Sequence, residues 1–378
     1  MGPMKIAYVY PWDVVGDPSA PDRLAALGVD AIALAASYHS TRAATPYHPS
    51  HRVLEAPYPA FYLPVRQSAW SRLLPASPTW TPADAYLQAR DALKSVGLQV
   101  HAWTVLTHNS HLGTANPDLI VRNAFGDPYP YALCPAHDDV LDYCDHLVRE
   151  TLTLAAPDGL ILEACGPMGF GHQSVHEKTF GADWTTVDSD LLSLCFCTSC
   201  APRYPEPTRA RVRAVLDRTL PTSGLLTVEE ALGPLADEVR TTRVELSTTL
   251  RRRLLTTIRE IAPNIPIALH ANPDPWATGA FAALPSGDPA ADVLIASCWG
   301  DPSQDASRLT HLTTLTTPTQ RVGAYVLALP PRPADASILA DHLRTYAKAG
   351  ATDFHLYHAG LASPARLAAL TEALRQLT

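Results

Sequence analysis

The sequence has 378 residues, of which 47% are hydrophobic and 17% are charged, and its formal net charge is −8. This composition is typical of a globular protein, and the negative charge argues against nucleic acid as a partner, because phosphate binding needs a basic surface. No apolar run reaches the length of a membrane-spanning helix, and the amino-terminal residues lack the basic and apolar regions of a secretory signal. We therefore expect a cytoplasmic protein without a nucleic-acid or membrane partner.

Short apolar runs alternate with longer segments of helical periodicity along the chain. This alternation predicts parallel strands that are joined by covering helices. The predicted strands span 5–12, 30–37, 98–105, 159–164, 265–271, 292–298, 321–328 and 352–359, and the predicted helices include 22–28, 82–97, 137–155, 334–350 and 363–377.

Eight strands in strict alternation with helices predict a (β/α)8 TIM barrel, an α/β fold. We predict one barrel domain over 1–378, with insertions at about 38–81, after strand two, and at about 165–206, after strand four. A doubly wound open sheet is the alternative, but no GxGxxG-type loop follows the first strand. The insertion at 38–81 is long enough to form a lid or an interface in a homo-oligomer.

Polar and aromatic residues are concentrated where the predicted strands end. Barrel enzymes bind their substrates at this end of the strands. Aromatic rings stack on the apolar face of a sugar, and imidazole, amide and guanidinium groups bind its hydroxyls. The pattern therefore predicts a carbohydrate or glycoside substrate. The candidate substrate-binding residues are His39, Arg42, His101, Trp103, His172, His270, Asn272, Trp299, Tyr325, His355 and Tyr357.

Glu163 ends the apolar run GLILE in predicted strand four. Desolvation at such a position raises the pKa of a carboxyl group, which suits the group to acid or base catalysis near neutral pH. Cleavage of a glycosidic bond needs a second carboxylate. We expect Asp301, after strand six, or Asp274, after strand five, because strand seven supplies no acid. The alternative is that Glu163 is a buried structural carboxylate, paired with Arg42 or a histidine.

Three of the seven cysteines lie within the segment CFCTSC at 195–200. A C-x-C-x-x-C run can place three thiolates around one tetrahedral zinc ion, and a reducing compartment disfavours disulfides. Cys134 lies in a loop and is free to reach this run, whereas Cys144, Cys165 and Cys298 lie in or beside core elements. We predict that this structural site fixes the long loop after strand four, and the alternative is a reduced loop without metal. The predicted metal ligands are Cys134, Cys195, Cys197 and Cys200.

The order of these features resembles that in the zinc-bearing β-galactosidases of glycoside hydrolase family 42, and more closely that in glycosidase-like barrels with the same cysteine loop. Cys134, the Asp158–Glu163 segment DGLILE and the C-x-C-x-x-C run carry the resemblance, which covers mainly 98–205. The resemblance implies a structural Zn²⁺ at the four cysteines and a catalytic carboxylate at Glu163.

The sequence also departs from that family. The family's clan has Asn directly before the acid of strand four, where this chain has Leu162, and its nucleophile lies on strand seven, where this chain has none. Galactosidase activity is therefore not implied, and Glu163 can be either the acid/base or the nucleophile. Two other functions stay open. One is a metal-dependent hydrolase or sugar isomerase that uses the strand-end histidines, and the other is a non-catalytic sugar-binding protein that has lost a carboxylate.

Overall fold

The computed structural model describes residues 4–171, 175–219, 227–284 and 291–377. Its central feature is a ring of eight strands. These are β1 (Lys5–Val9), β2 (Ala31–Tyr38), β3 (Gln99–Val105), β4 (Gly159–Glu163), β5 (Ile267–Asn272), β6 (Val293–Cys298), β7 (Arg321–Leu327) and β8 (Asp353–Tyr357). Neighbouring strands are parallel, and β1 pairs with both β2 and β8, which closes the barrel.

Helices connect the strands and cover the outside of the barrel. Two of them, the helices Asp138–Ala155 and Ala236–Ile261, pack against each other. No helix in the described ranges is both long and apolar enough to cross a membrane. The helices are α1 (Ala20–Ala25), α2 (Ala85–Ser95), α3 (Ser110–Ala115), α4 (Asp138–Ala155), α5 (Thr186–Leu192), α6 (Thr208–Leu216), α7 (Val228–Leu232), α8 (Ala236–Ile261), α9 (Pro302–Thr314), α10 (Ala336–Lys348) and α11 (Pro364–Arg375), with short 3-10 turns at Pro11–Asp13, Gln67–Ala69, Phe180–Ala182, Ala201–Arg203 and Gly233–Leu235.

The predicted (β/α)8 barrel is confirmed, and each predicted strand overlaps an observed one. The first strand is shorter than the predicted 5–12. Pro11 has no N–H to donate to a strand ladder, and the chain forms a 3-10 turn at Pro11–Asp13 instead. A long loop follows β2, and the cysteine-bearing loop follows β4.

Short strands outside the barrel lie in three of its loops. The loop after β2 contains an antiparallel hairpin and a strand that pairs with the end of β2, whereas the loop after β3 contains α3 and a second hairpin. These short strands are Thr41–Ala44, Val53–Ala56, Ala60–Phe61, Ile120–Arg122, Pro128–Leu133 and Ala282–Ala283, the last of which pairs with β5.

Imidazole rings fill part of the barrel interior. His101 is 3% exposed, and His270 and His355 are completely buried. Gly159 faces His101, and a Cβ atom added at Gly159 would lie 2.6 Å from that ring. Burial lowers the pKa of His101 to about 4 and that of His270 to about 3, so both rings are neutral at pH 7. These two rings therefore make the interior beneath the strand ends polar without adding charge to it.

Candidate active site

A cavity of about 560 Å³ opens where the barrel strands end. In a (β/α)8 barrel, side chains from several strands and their loops converge at this end. The volume is within the range of small-molecule pockets. Six aromatic side chains line the cavity, namely Tyr38, Trp103, Phe281, Trp299, Tyr325 and Tyr357.

Glu163 is the last residue of β4 and lines this cavity, with 5% of its surface exposed. Its Oε2 atom accepts a hydrogen bond of 2.6 Å from Trp103 Nε1, and His270 Nδ1 lies 3.6 Å from the same oxygen. Burial raises the pKa of Glu163 to about 7, and the hydrogen bond from Trp103 opposes this rise. A carboxyl group in this state can donate or accept a proton near neutral pH.

Aromatic rings offer the cavity both an apolar face and hydroxyl groups. Trp299 is 40% exposed. Its ring stacks on Tyr325 with 5.4 Å between the centroids, and the Tyr357 ring lies 4.8 Å away. Tyr10 donates a hydrogen bond of 3.1 Å to the Tyr38 hydroxyl. An exposed indole beside phenol groups suits a ring-shaped polar ligand.

A second carboxyl group in the cavity wall belongs to Asp305, which is completely buried in the first turns of α9. Arg308 Nη1 donates a hydrogen bond of 2.8 Å to Asp305 Oδ1. Tyr346 donates to Asp305 Oδ2 at 3.4 Å, and Arg332 Nη2 lies 3.7 Å from that oxygen. Burial raises the pKa of Asp305, and Arg308 opposes this rise.

The two carboxylates expected from the sequence as partners of the strand-four acid lie outside the cavity wall. Asp301 is exposed and is the N-cap of α9, because its Oδ1 accepts hydrogen bonds from the N–H groups of Ser303 and Gln304. Asp274 is also exposed, and its Oδ1 accepts a hydrogen bond from the Trp276 N–H in the loop after β5. Both side chains stabilise local backbone turns.

The structure separates the predicted substrate-binding residues by position. Three of the imidazoles, those of His101, His270 and His355, are inside the barrel and are not part of the cavity wall. Arg42 is exposed on the hairpin of the loop after β2. His172 lies outside the described residues. The candidates that line the cavity are His39, Trp103, Asn272, Trp299, Tyr325 and Tyr357.

The sequence analysis missed several residues of the site. Phe281 follows β5 in the chain and stacks on His270 with 4.4 Å between the ring centroids. Asp305 follows Asp301 by one helical turn, so the Asp-Pro start of α9 is a signal that could have located it. Arg308 and Phe281 carry no comparable local signal, because the fold of the loops alone brings them to the cavity.

The four cysteines predicted as metal ligands come together. All four are buried, and their sulfur atoms lie within 4.8 Å of one another. Cys134 Sγ lies 3.5 Å from Cys200 Sγ and 3.8 Å from Cys197 Sγ. A tetrahedral zinc–thiolate site with bonds of about 2.3 Å has edges of about 3.8 Å, so the sulfur atoms can surround one metal ion. Within the described ranges, no other group of His, Cys, Asp and Glu has this spacing.

The cysteine cluster joins two neighbouring loops. Cys134 belongs to the loop after β3, and the other three cysteines belong to the loop after β4. The Phe196 N–H donates a hydrogen bond of 2.6 Å to the Arg122 carbonyl, and the Tyr131 hydroxyl donates one of 2.7 Å to the Gly169 carbonyl. The cluster therefore supports the loop segment that leads from β4 along the cavity.

The sequence matches no protein-family model and no curated protein. Solved structures resemble the chain in fold. The catalytic domain of β-amylase from Paenibacillus polymyxa has a TM-score of 0.58 and 12% identity, covering 99% of this chain and 98% of that one. The α-L-fucosidase isoenzyme 2 from Paenibacillus thiaminolyticus has a TM-score of 0.55 and 12% identity, and the match covers 100% of this chain and 49% of that one. Gan42B, a GH42 β-galactosidase from G. stearothermophilus, has a TM-score of 0.52 and 9% identity, and the match covers 99% of this chain and 56% of that one.

These likenesses establish the fold. The barrel is of the type found in these glycoside hydrolases, including the family 42 enzyme that the cysteine order resembles. The identities are too low to carry an activity to this chain. The chain also spans about half the length of the fucosidase, 49%, and of the galactosidase, 56%.

Proposed function

We propose that this protein is a glycoside hydrolase in which Glu163 transfers a proton to or from the scissile glycosidic bond, or attacks it. One observation carries the proposal. Glu163 is a buried carboxyl group with a pKa of about 7 in an aromatic-lined cavity at the strand ends of a (β/α)8 barrel. A carboxyl group with this pKa is suited to protonate a leaving-group oxygen near neutral pH.

The cavity side chains have separate roles in this proposal. Trp103 holds the Glu163 carboxyl in one orientation through its indole N–H. The exposed face of Trp299 stacks on the sugar ring, and Asn272 and His39 bind hydroxyl groups of the sugar. These contacts fix the glycosidic oxygen next to the acid, and such positioning accounts for a large part of enzymatic rate enhancement.

Asp305 is a better candidate for the second carboxylate than Asp301 or Asp274, because it lines the same cavity as Glu163. Burial raises the pKa of Asp305, and the hydrogen bond from Arg308 opposes this rise and so favours the ionised form. An ionised carboxylate can act as the nucleophile or as the base that activates water, and the distance between the two carboxyl groups then decides the stereochemical outcome.

We also propose that the cysteine cluster binds Zn²⁺. The ligands are Cys134, Cys195, Cys197 and Cys200. A zinc ion with four thiolate ligands has no open position for water, so its contribution is structural. The ion would hold the loop after β4 against the loop after β3, and these loops border the cavity.

The test of the proposed activity is a comparison of the wild-type protein with Glu163→Gln. Turnover is measured on a panel of 4-nitrophenyl glycosides and, by reducing-sugar release, on galacto-, fuco- and malto-oligosaccharides. We expect turnover of at least one substrate, and a loss of about 10³-fold in the variant, because an amide cannot exchange the proton. Zinc content and thermal stability at pH 7 serve as controls for folding. Full turnover by Glu163→Gln would refute the assignment.

A non-catalytic sugar-binding protein is the second candidate function. It is favoured by the state of Asp305, whose carboxylate is engaged by Arg308 and Tyr346. Calorimetric titration distinguishes the two functions. A sugar that binds the wild-type protein and yields no product over days would support this candidate and refute hydrolysis of that sugar.

A further inference from the structure

A chain of buried polar groups leads from Glu163 into the barrel. His270 Nδ1 faces Glu163 Oε2 at 3.6 Å, and the other ring nitrogen of His270, Nε2, lies 3.3 Å from the Tyr8 hydroxyl. The same hydroxyl lies 3.0 Å from His355 Nδ1. Tyr8, His270 and His355 are each 0% exposed, and none of them lines the cavity. The three residues come from β1, β5 and β8, so the closure of the barrel brings them together.

The chemistry of the Tyr8 hydroxyl limits how the hydrogen bonds among these buried groups can be arranged. A hydroxyl group has one proton, so Tyr8 donates to one imidazole and accepts from the other. If Tyr8 donates to His355, then His270 must carry its proton on Nε2 and presents a bare Nδ1 to Glu163. If Tyr8 donates to His270, then His270 Nδ1 carries a proton that points towards the carboxyl group.

Two observations favour the second arrangement. Trp103 Nε1 donates a hydrogen bond of 2.6 Å to Glu163 Oε2, so this oxygen is an acceptor, and an unprotonated His270 Nδ1 would face it lone pair to lone pair. No acceptor among the described residues lies within hydrogen-bond distance of His355 Nε2 or of His270 Nδ1, but of the two only His270 Nδ1 has a carboxylate oxygen just beyond that distance, at 3.6 Å. A buried donor without an acceptor is costly, so His355 carries its proton on Nδ1 and donates it to the Tyr8 oxygen.

We propose that Tyr8 and His355 are positioning residues that act on Glu163 through His270. In the resulting chain, His355 Nδ1–H donates to Tyr8, Tyr8 donates to His270 Nε2, and His270 Nδ1–H points at the Glu163 carboxylate. Both rings are neutral and no proton moves along the chain. This inference deepens the proposed function, on which it rests, by naming the groups that favour the ionised form of Glu163.

The effect on Glu163 opposes that of burial. Burial raises the pKa of Glu163. The phenols near this carboxyl group carry no positive charge and so do not lower its pKa, and they belong to Tyr8, Tyr38, Tyr325 and Tyr357. The oriented N–H groups of Trp103 and His270 act in the opposite direction. Burial, together with His270, His101 and Arg321, lowers the pKa of His355, which keeps that ring neutral.

The first test observes the tautomers directly. Protein labelled with ¹⁵N-histidine is studied by long-range ¹H–¹⁵N correlation at pH 7, and the signals are assigned by their loss in His270→Gln and His355→Gln. We expect both rings to be Nδ1–H tautomers, which is the minor form of neutral histidine in water. An Nε2–H tautomer at either ring would overturn the inference.

The second test measures the pKa of Glu163 by ¹³C-carboxyl titration in the wild-type protein and in Tyr8→Phe. The loss of the oriented donor should raise this pKa by about 0.7 unit, the equivalent of one hydrogen bond of about 1 kcal/mol. Tyr86→Phe is the matched control, because Tyr86 is also buried and its hydroxyl has no partner among the described residues. An unchanged or lower pKa in Tyr8→Phe would overturn the inference.

Both readouts are independent of turnover. If Glu163→Gln retains full activity, the proposed function fails while the tautomers and the pKa shift can still be observed. If instead the tautomers differ from those stated, the positioning chain fails and the proposed role of Glu163 is untouched.

Discussion

The cysteine cluster and the cavity lie at the same end of the barrel but are built in opposite ways. Three cysteines of the cluster come from six consecutive residues, and one comes from the preceding loop. The cavity takes side chains from β2 to β8, and no two of its central residues, Trp103, Glu163 and Tyr325, share a strand. Local spacing therefore encodes the cluster, whereas closure of the whole barrel creates the cavity. This difference leads to predictions about which changes affect stability and which affect function.

The largest expected effect on stability is that of removing one thiolate from the cluster. Cys200→Ser should lose the bound metal and destabilise both loops, lowering the free energy of unfolding by more than about 4 kcal/mol, because metal binding and local folding are coupled. Metal per chain is measured by atomic emission, and stability by urea unfolding. Cys298→Ala, which changes a buried cysteine outside the cluster, should retain the metal. A Cys200→Ser protein with full metal content would contradict the assignment.

A smaller effect is expected from the buried carboxyl group of the cavity. The pKa of Glu163 is about 7 in the folded protein, against 4.5 for a free glutamate. The folded state thus binds the proton more tightly than the unfolded state, and the stability contributed by this group is lost as the pH rises from about 4.5 through 7. A glutamine side chain does not ionise, so Glu163→Gln avoids this loss of stability. The variant should therefore raise the free energy of unfolding at pH 8.5 by about 3 kcal/mol.

The pH dependence supplies the control for that prediction. At pH 5.5 the gain from Glu163→Gln should be smaller by about 2 kcal/mol, because Glu163 is then protonated in the folded state. Glu206→Gln changes an exposed glutamate and should show no such difference between the two pH values. Equal gains at pH 5.5 and 8.5 would show that the pKa of Glu163 is not raised.

The exposed indole of the cavity should affect ligand binding and not stability. Trp299→Ala should weaken the binding of a sugar ligand about tenfold, equivalent to about 1.4 kcal/mol, because the stacking surface is lost. Trp184→Ala is a matched control, since Trp184 is 41% exposed, Trp299 is 40% exposed, and only Trp299 lines the cavity. Binding is measured by calorimetry. Equal losses in the two variants would refute a specific role for Trp299.

The smallest effect is expected at Asp301. Asp301→Ala removes the N-cap of α9 and should lower the free energy of unfolding by about 1 kcal/mol while turnover changes less than twofold. Asp335→Ala, which removes the N-cap of α10, should have a similar effect on stability. A loss of turnover in Asp301→Ala as large as that in Glu163→Gln would return Asp301 to the catalytic pair.

Much of the fold could be predicted because each strand is a short apolar run next to a helix-periodic segment. The end of β1 was missed because Pro11 interrupts a run that is apolar on both sides. The position of Glu163 could be predicted from its place at the end of β4. Asp305 could not, because its approach to the cavity depends on where α9 begins and on how that helix is rotated. Tyr8 was missed because all four residues after Lys5 in β1 are buried, and no alternation marks which side chains point inward.

Gly159 at the start of β4 has a consequence for how this barrel can change over evolutionary time. A side chain as small as a methyl group at this position would collide with the His101 ring, 2.6 Å away. A larger residue at position 159 is therefore compatible only with a smaller residue at position 101. The smaller residue at position 101 has to come first, which restricts the order in which this interior can be remodelled.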